Sequence, residues 1–368
     1  MSFSLGLSIA IIFFLTIVQT VIPFLVKRTV VFGVTIPEQY IKEKKLIQYK
    51  KQYAFITFII GMVILACYLF WALNNQLSED QIIMVGVFIE FAIILLSMSF
   101  YFYYHGKIKQ LKQKSKWIEN LKQVKVTDLS IRSQDEMLPW YIYLFPMVIT
   151  IGLIIYTVMN YELLPENIPT HWGPTGEPDA FTKKTPFTAV QMPGFLLLMQ
   201  IMFLGIHIAT KKSGIKLSVT NALASRKRQL GMRKYSSWLM ILVSLAITIL
   251  FTFFQLTTIH PNIFDGSPLL LIIPFVILAI ILISTITFAI KVGRSDKQID
   301  PVIEGNITDI DEDKYWKGGL WYFNKNDPSI FVEKRFGVGY TLNFANPIGY
   351  LIVILPVLII LFVSIFLN

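Results

Sequence analysis

The chain has 368 residues, 54% hydrophobic and only 15% charged, with mean hydropathy +0.60. Soluble domains carry about 25% charged residues, so an ordinary soluble domain is excluded and an all-α polytopic membrane protein is expected. The formal net charge of +10 invites a nucleic-acid reading, which the placement of the charge removes below, and the one cysteine, Cys67, excludes an internal disulfide and a cysteine-rich metal site.

A run of about 20 apolar residues spans a hydrocarbon core of roughly 30 Å. Eight such runs are read, at 4–26, 54–73, 82–104, 140–158, 188–209, 237–258, 268–290 and 347–367. The first is kept as a span rather than a cleaved signal. It is long, lacks a small-residue cleavage site and is followed by Lys27 and Arg28. Lysine and arginine alternate from one connection to the next: seven in 27–53 and eight each in 105–139, 210–236 and 291–346. The opposite loops hold two in 159–187 and none in 74–81 or 259–267. The basic segments therefore face the cytoplasm and both termini face outward. Topology and an anionic inner leaflet account for the charge, so the lipid bilayer is the expected partner and no nucleic acid is needed.

The expected organisation is a three-helix region (1–139), a two-helix unit with an outer loop at 159–187 (140–209), and a second helix pair (210–290). A cytoplasmic loop (291–346) and a last helix (347–368) follow. In 27–53, a strand-like Val30–Val34 leads past Pro37 into a basic amphipathic stretch, read as a surface helix that steers insertion. Glu90 is the one acid inside a span; eight residues from its outer end, it lies about 12 Å deep. It is a proton or cation site, or a protonated packing residue. In 105–139, Ile108, Leu111, Trp117, Ile118 and Leu121 recur at helical spacing among lysines. That pattern predicts a basic helix lying on the leaflet, its lysines snorkelling to water.

The outer loop carries "LPENIPTHWGPTGEPDAFTKKT" at 164–185. Pro165, Pro169, Pro174 and Pro178 stiffen it, while Gly173 and Gly176 permit turns. Such a loop presents His171, Trp172 and Asp179 at low entropic cost, beside Lys183 and Lys184, the only outward cations. The alternative is that His171 and Trp172 cap the bundle, with the tryptophan in the aromatic belt. His207 lies near the cytoplasmic end of span five, where snorkelling is easy. Gln19, Gln200 and Gln255 read as interhelical hydrogen-bonding groups.

In 291–346, the acids Asp309, Asp311, Glu312 and Asp313 lack EF-hand spacing and read as a solvated acidic turn. Beyond them, strand-like 320–324 and 329–335 flank the turn signal Lys325-Asn326-Asp327-Pro328 and predict a small cytoplasmic β-hairpin within 320–345. No HExxH, P-loop or GxSxG is present, so no catalytic residue, metal or cofactor is assigned.

Residues 140–200, through Pro165, Ile168, Pro169, His171, Gly176, Pro178, Asp179 and Lys183 or Lys184, resemble the uncharacterised domain at the head of SdpI-type immunity proteins of Bacillus. The segment "WYFNKNDPSIFVEKRFGVGYTLNFANP" resembles a second uncharacterised domain, which follows the first in longer bacillar membrane proteins. The resemblance implies a Gram-positive cytoplasmic membrane protein. From the characterised immunity member it implies protection against a toxic peptide outside and capture of a regulatory protein inside. The eight spans depart from that member, which leaves both as expectations. The leading reading is a non-enzymatic protein of envelope defence or signalling. A solute or ion transporter using Glu90 is the alternative, and a lipid-acting enzyme the third.

Overall fold

The structure is a computed structural model that describes residues 3–124, 126, 129–173, 177–264, 269–296 and 306–366. Among them, eight helices are long and apolar enough to cross a membrane. Helix α1 (Phe3–Leu25) is followed by a tight hairpin of β1 (Val30–Val31) and β2 (Val34–Thr35). Helices α2 (Lys44–Asn74) and α3 (Glu79–Lys114) complete a three-helix bundle. A reciprocal Ser78–Gln81 capping box starts α3, acids occupy its first turn, and Lys112 and Lys114 close its last. Each of these satisfies end groups or complements the helix dipole.

Strand β3 (Lys122–Val124) leads to a 3-10 turn at Trp140–Tyr143 and helix α4 (Leu144–Met159). The hairpin of β4 (Asn167–Trp172) and β5 (Pro178–Lys183) then enters α5 (Pro186–Lys212). Thr185 caps that helix and Pro186 opens it, where a missing N–H costs nothing. Helices α4 and α5 pack with α6 (Ala222–Ile259). Buried Gln200 joins all three, its Nε2 donating to Thr150 Oγ1 and Thr248 Oγ1, each at 2.8 Å. Helix α7 (Leu269–Arg294) lies against α6 and α1.

Four short strands follow: β6 (Ile307–Asp309), β7 (Trp316–Lys317), β8 (Trp321–Tyr322) and β9 (Phe331–Glu333). After β10 (Tyr340–Leu342), the last span runs through a π-helical turn at Tyr350–Ile354 into α8 (Leu355–Phe366). Pro356 removes a donor, and its ring would crowd the Ile352 carbonyl. The wider π turn sits where that crowding falls.

The ends of the helices correct three expectations. The basic stretch before span two is no separate surface helix, since α2 is continuous from Lys44. The 105–139 segment is not a helix lying on the leaflet: α3 runs straight to Lys114, and β3 then pairs in parallel with β6. Its apolar positions face protein, with Ile108 and Trp117 buried in one core with Phe32, Tyr53, Tyr101 and Tyr104. Nor does Lys112 snorkel. It is buried and donates to Asp311 at 2.9 Å and Asp313 at 2.6 Å.

The acidic turn is likewise paired rather than solvated. Asp313 also receives Arg335 Nη1 at 2.5 Å, Asp309 accepts Ser218 Oγ at 2.7 Å, and Glu312 binds Lys216 at 2.7 Å. Thr35 N–H of the first connection also donates to Asp313 Oδ1 at 3.0 Å, so four separated connections are sewn into one assembly on the basic face. Small hairpins do precede the last helix, but with other partners than the turn signal suggests. Strand β8 pairs with β7, and β9 with β10 through Tyr340↔Glu333 and Leu342↔Phe331. The 325–328 turn joins two hairpins instead of closing one, and its Asp327 is held by Lys216 at 3.1 Å.

Burial alone would raise the Asp313 pKa, but the charges of Arg335 and Lys112 outweigh it and hold the group at about 2. A depressed carboxylate contributes stability above its unfolded pKa, near 4, and loses it as pH falls through the folded value. Asp313→Asn should therefore lower the unfolding temperature at pH 7, and the deficit should shrink between pH 4 and pH 2. Melting curves of both proteins across that range would show it, and a pH-independent deficit would refute the ion-pair account.

Candidate functional site

Opposite the basic face, the β4–β5 hairpin closes over the α4–α6 bundle. Ile168 is buried with Leu164, Ala189 and Ile259, which fixes the hairpin's base. Lys184 ties the returning strand to the entering one. Its N–H donates to Glu166 O and its Nζ to Leu164 O at 2.9 Å, with the ammonium 4.8 Å from the Tyr161 ring centre. Near the tip, Gly173 N donates to Glu177 O. His171 Nδ1 and Asp179 Oδ1 lie 2.5 Å apart across the two strands, both exposed. Trp172 turns inward and stacks on Phe254 of α6, ring centres 4.3 Å apart at 25°.

Behind Trp172 opens a cavity of about 440 Å³. One wall is β4 from Ile168 to Trp172. A second is α5 through Thr188, Gln191, Met192 and Phe195, and a third is α6 through Phe251, Phe254 and Gln255. Ile360 and Ser364 of α8 supply the fourth. The volume falls within the range of small-ligand sites, and the lining is apolar with a few polar groups, as such sites are. Gln255 is occupied: its Nε2 donates to Ala189 O at 3.1 Å and Thr157 Oγ1 at 3.3 Å. Gln191 is buried, and its Oε1 has no hydrogen-bond partner.

The structure therefore brings His171, Trp172 and Asp179 together at the mouth. Lys184 serves the hairpin itself, and Lys183 is exposed on β5 away from the cavity lining. His260, just beyond α6, bonds Tyr156 Oη at 2.7 Å. Among the described residues, no three His, Cys, Asp or Glu side chains group as metal ligands. Pro174, Thr175 and Gly176 of the turn lie outside the described residues.

The two intramembrane candidates stand apart from the cavity. Glu90 is half-buried on α3, in the other bundle, and has no hydrogen-bond or ion-pair partner among the described residues. His207 does not snorkel as expected. It is fully buried, its ring centre 4.6 Å from that of Tyr143, beside the Leu138 backbone. The Tyr143 hydroxyl donates to Ser237 O at 2.9 Å. The residue overlooked in the sequence is Gln191. Thr188, Gln191 and Phe195 follow one another at spacings of three and four, which places them on one helix face.

Residues 148–197 match the profile of a domain of unknown function, DUF1648. Residues 325–350 match that of a family of unknown function, DUF5808. No curated protein and no solved structure matches the chain. The first match runs from α4 through the β4–β5 hairpin into α5, and so contains two of the four cavity walls. The second covers the turn after β8 through β9 and β10 to the start of the last span.

Proposed function

We propose that this multi-pass membrane protein acts without catalysis, as an envelope-defence or signalling protein that takes a membrane-active peptide from outside into the cavity behind Trp172. One observation carries the reading: the stiff hairpin roofs an apolar cavity that continues into the helix bundle. A hydrophobic side chain entering there would leave lipid or water for aromatic walls, gaining on the order of 2 kcal/mol from water. The exposed His171–Asp179 pair beside the mouth offers polar groups to the ligand's backbone or charge. On the basic face, the ion-paired hairpins around β7–β10 offer a surface to a regulatory protein inside. The resemblance to immunity proteins agrees with both assignments.

A second reading has its own observation. Glu90 is an acid within a span that has no partner among the described residues, as a proton- or cation-coupled transporter would need. The two readings separate by mutation. In a sensitive Gram-positive host, expression of the chain should shift the dose–response curve of at least one membrane-active peptide to higher dose. Trp172→Ala at equal membrane abundance should remove that shift by tenfold or more, since truncating a buried aromatic anchor costs about 2 kcal/mol or more. Glu90→Gln should leave it. Curves that stay unshifted for a full panel of peptides would reject peptide protection, and flux assays on Glu90→Gln would then be decisive.

A further inference from the structure

The cavity holds a polar group that the surrounding protein leaves unused. Gln191 is 9% exposed and lines the cavity with Thr188, Phe195 and Phe254, and its Oε1 accepts no hydrogen bond from the described residues. Its neighbours are already committed. Thr188 Oγ1 donates to Lys183 O at 2.7 Å, and Gln255 bridges α4 and α5. A buried amide oxygen without a partner costs roughly 1–3 kcal/mol, and folded proteins leave few such groups. Gln191 lines the cavity, so a turn of its side-chain amide toward that space would let an entering N–H satisfy the oxygen, which is closed off in the present rotamer.

Resting on the reading of the cavity as a ligand site, we infer that Gln191 selects the ligand's chemical class: an apolar chain or side chain carrying a secondary amide, the peptide group. A side-chain amide pairs with a peptide group in both senses, accepting from its N–H and donating to its C=O. It does so whichever way the Gln191 amide is turned. An acyl ester of a membrane lipid has the same shape and carbonyl but no donor. It would fill the apolar walls and leave Oε1 unpaired. The cavity thus discriminates a peptide from the surrounding glycerolipid, which reaches it at far higher concentration. Discrimination by an unsatisfied polar group is stronger than discrimination by apolar fit.

The test compares two probes that differ only in this donor. N-dodecylacetamide and dodecyl acetate would be titrated against the full-length chain in lipid nanodiscs. The amide should bind about tenfold more tightly, which corresponds to about 1.4 kcal/mol. Gln191→Leu should bring the two affinities together while dodecyl acetate still binds, which shows that the variant is folded. Equal affinities in the wild type, or a preference that survives in Gln191→Leu, would overturn the inference and leave the cavity reading standing. If neither probe binds, or if Met192→Trp, which fills the cavity, binds both as the wild type does, the cavity reading falls and the inference with it.

Discussion

Arg228→Ala should destabilise the folded chain by about 3–5 kcal/mol, the cost of leaving buried charge without its partner. Arg228 is 1% exposed at its side chain and joins three elements. Its Nε donates to Glu333 of β9 at 2.5 Å, and its Nη1 to Val292 O at 3.2 Å and Asp296 at 3.3 Å, at the end of α7. The carboxylates it serves are themselves engaged. Gln229 Nε2 donates to Glu333 Oε2 at 2.7 Å, and the Arg28 N–H donates to Asp296 Oδ2 at 3.2 Å. Removing the guanidinium strips two nearly buried acids of the charge that pairs them, and leaves Asp296 with Arg28, whose Nη1 reaches its backbone O at 3.5 Å. Arg228→Lys keeps one charge but loses the fork that serves two acids at once, and should fall between. Thermal and denaturant unfolding of the purified protein would measure both. A cost for Arg228→Ala within about 1 kcal/mol of zero would show that the joint is not a structural tie.

Gly319→Ala should cost about 2–4 kcal/mol and loosen the β7–β8 hairpin from α3. Gly319 has φ +73°, where an ordinary residue loses about 1–2 kcal/mol. An added Cβ would also meet Tyr101 Oη at 2.5 Å and Gly33 Cα at 2.8 Å, and overpacking of this kind adds about 1–3 kcal/mol. Gly33 is the other half of the contact, in the β1–β2 turn at φ +75°. There Phe32 is held at φ +44° because its ring is buried among Tyr53, Tyr101 and Tyr104. The hydroxyl of Tyr101 donates to Gly318 O at 3.1 Å, so displacing Gly319 breaks that bond as well. Gly337→Ala is the control. Its φ is +90° with no atom within 4 Å of the added carbon, so it should cost only the backbone strain. Unfolding measurements, together with protease protection of residues 313–345, would separate the cases. Equal losses at Gly319 and Gly337 would mean that strain alone acts and the two hairpins do not lock through this contact.

Much of the hairpin–cavity site was legible beforehand, because a stiff loop is a local property. Pro165, Pro169 and Pro178 restrict the backbone whatever surrounds it, and His171, Trp172 and Asp179 do meet at one end of the hairpin. The cavity itself was not legible. Its walls come from four segments, 168–172, 188–195, 251–255 and 360–364, and only packing decides that they converge. Gln191 escaped notice for the same reason. In sequence it equals Gln200 and Gln255, each polar within an apolar run, yet those two donate through Nε2 to neighbouring helices, and Gln191 instead lines the cavity with its Oε1 unpaired among the described residues.

By itself the sequence determined the eight spans and the sides to which the charges are sorted. Hydropathy and lysine placement are sums over adjacent residues, and a bilayer reads them without reference to the rest of the chain. It also determined that short strands precede the last helix. Tertiary structure decided which charges are solvated and which are buried. Lys109 is exposed and Lys112 is not. Both are lysines in one basic run on α3, and the difference is that Asp311 and Asp313, about 200 residues later, arrive beside only one of them. It decided strand partners too, since two- and three-residue strands carry too little pattern to specify a register and take it from the helices beneath them. Charge pairing and strand pairing are both long-range contacts, whose favourable energy exists only once the intervening chain has been folded back.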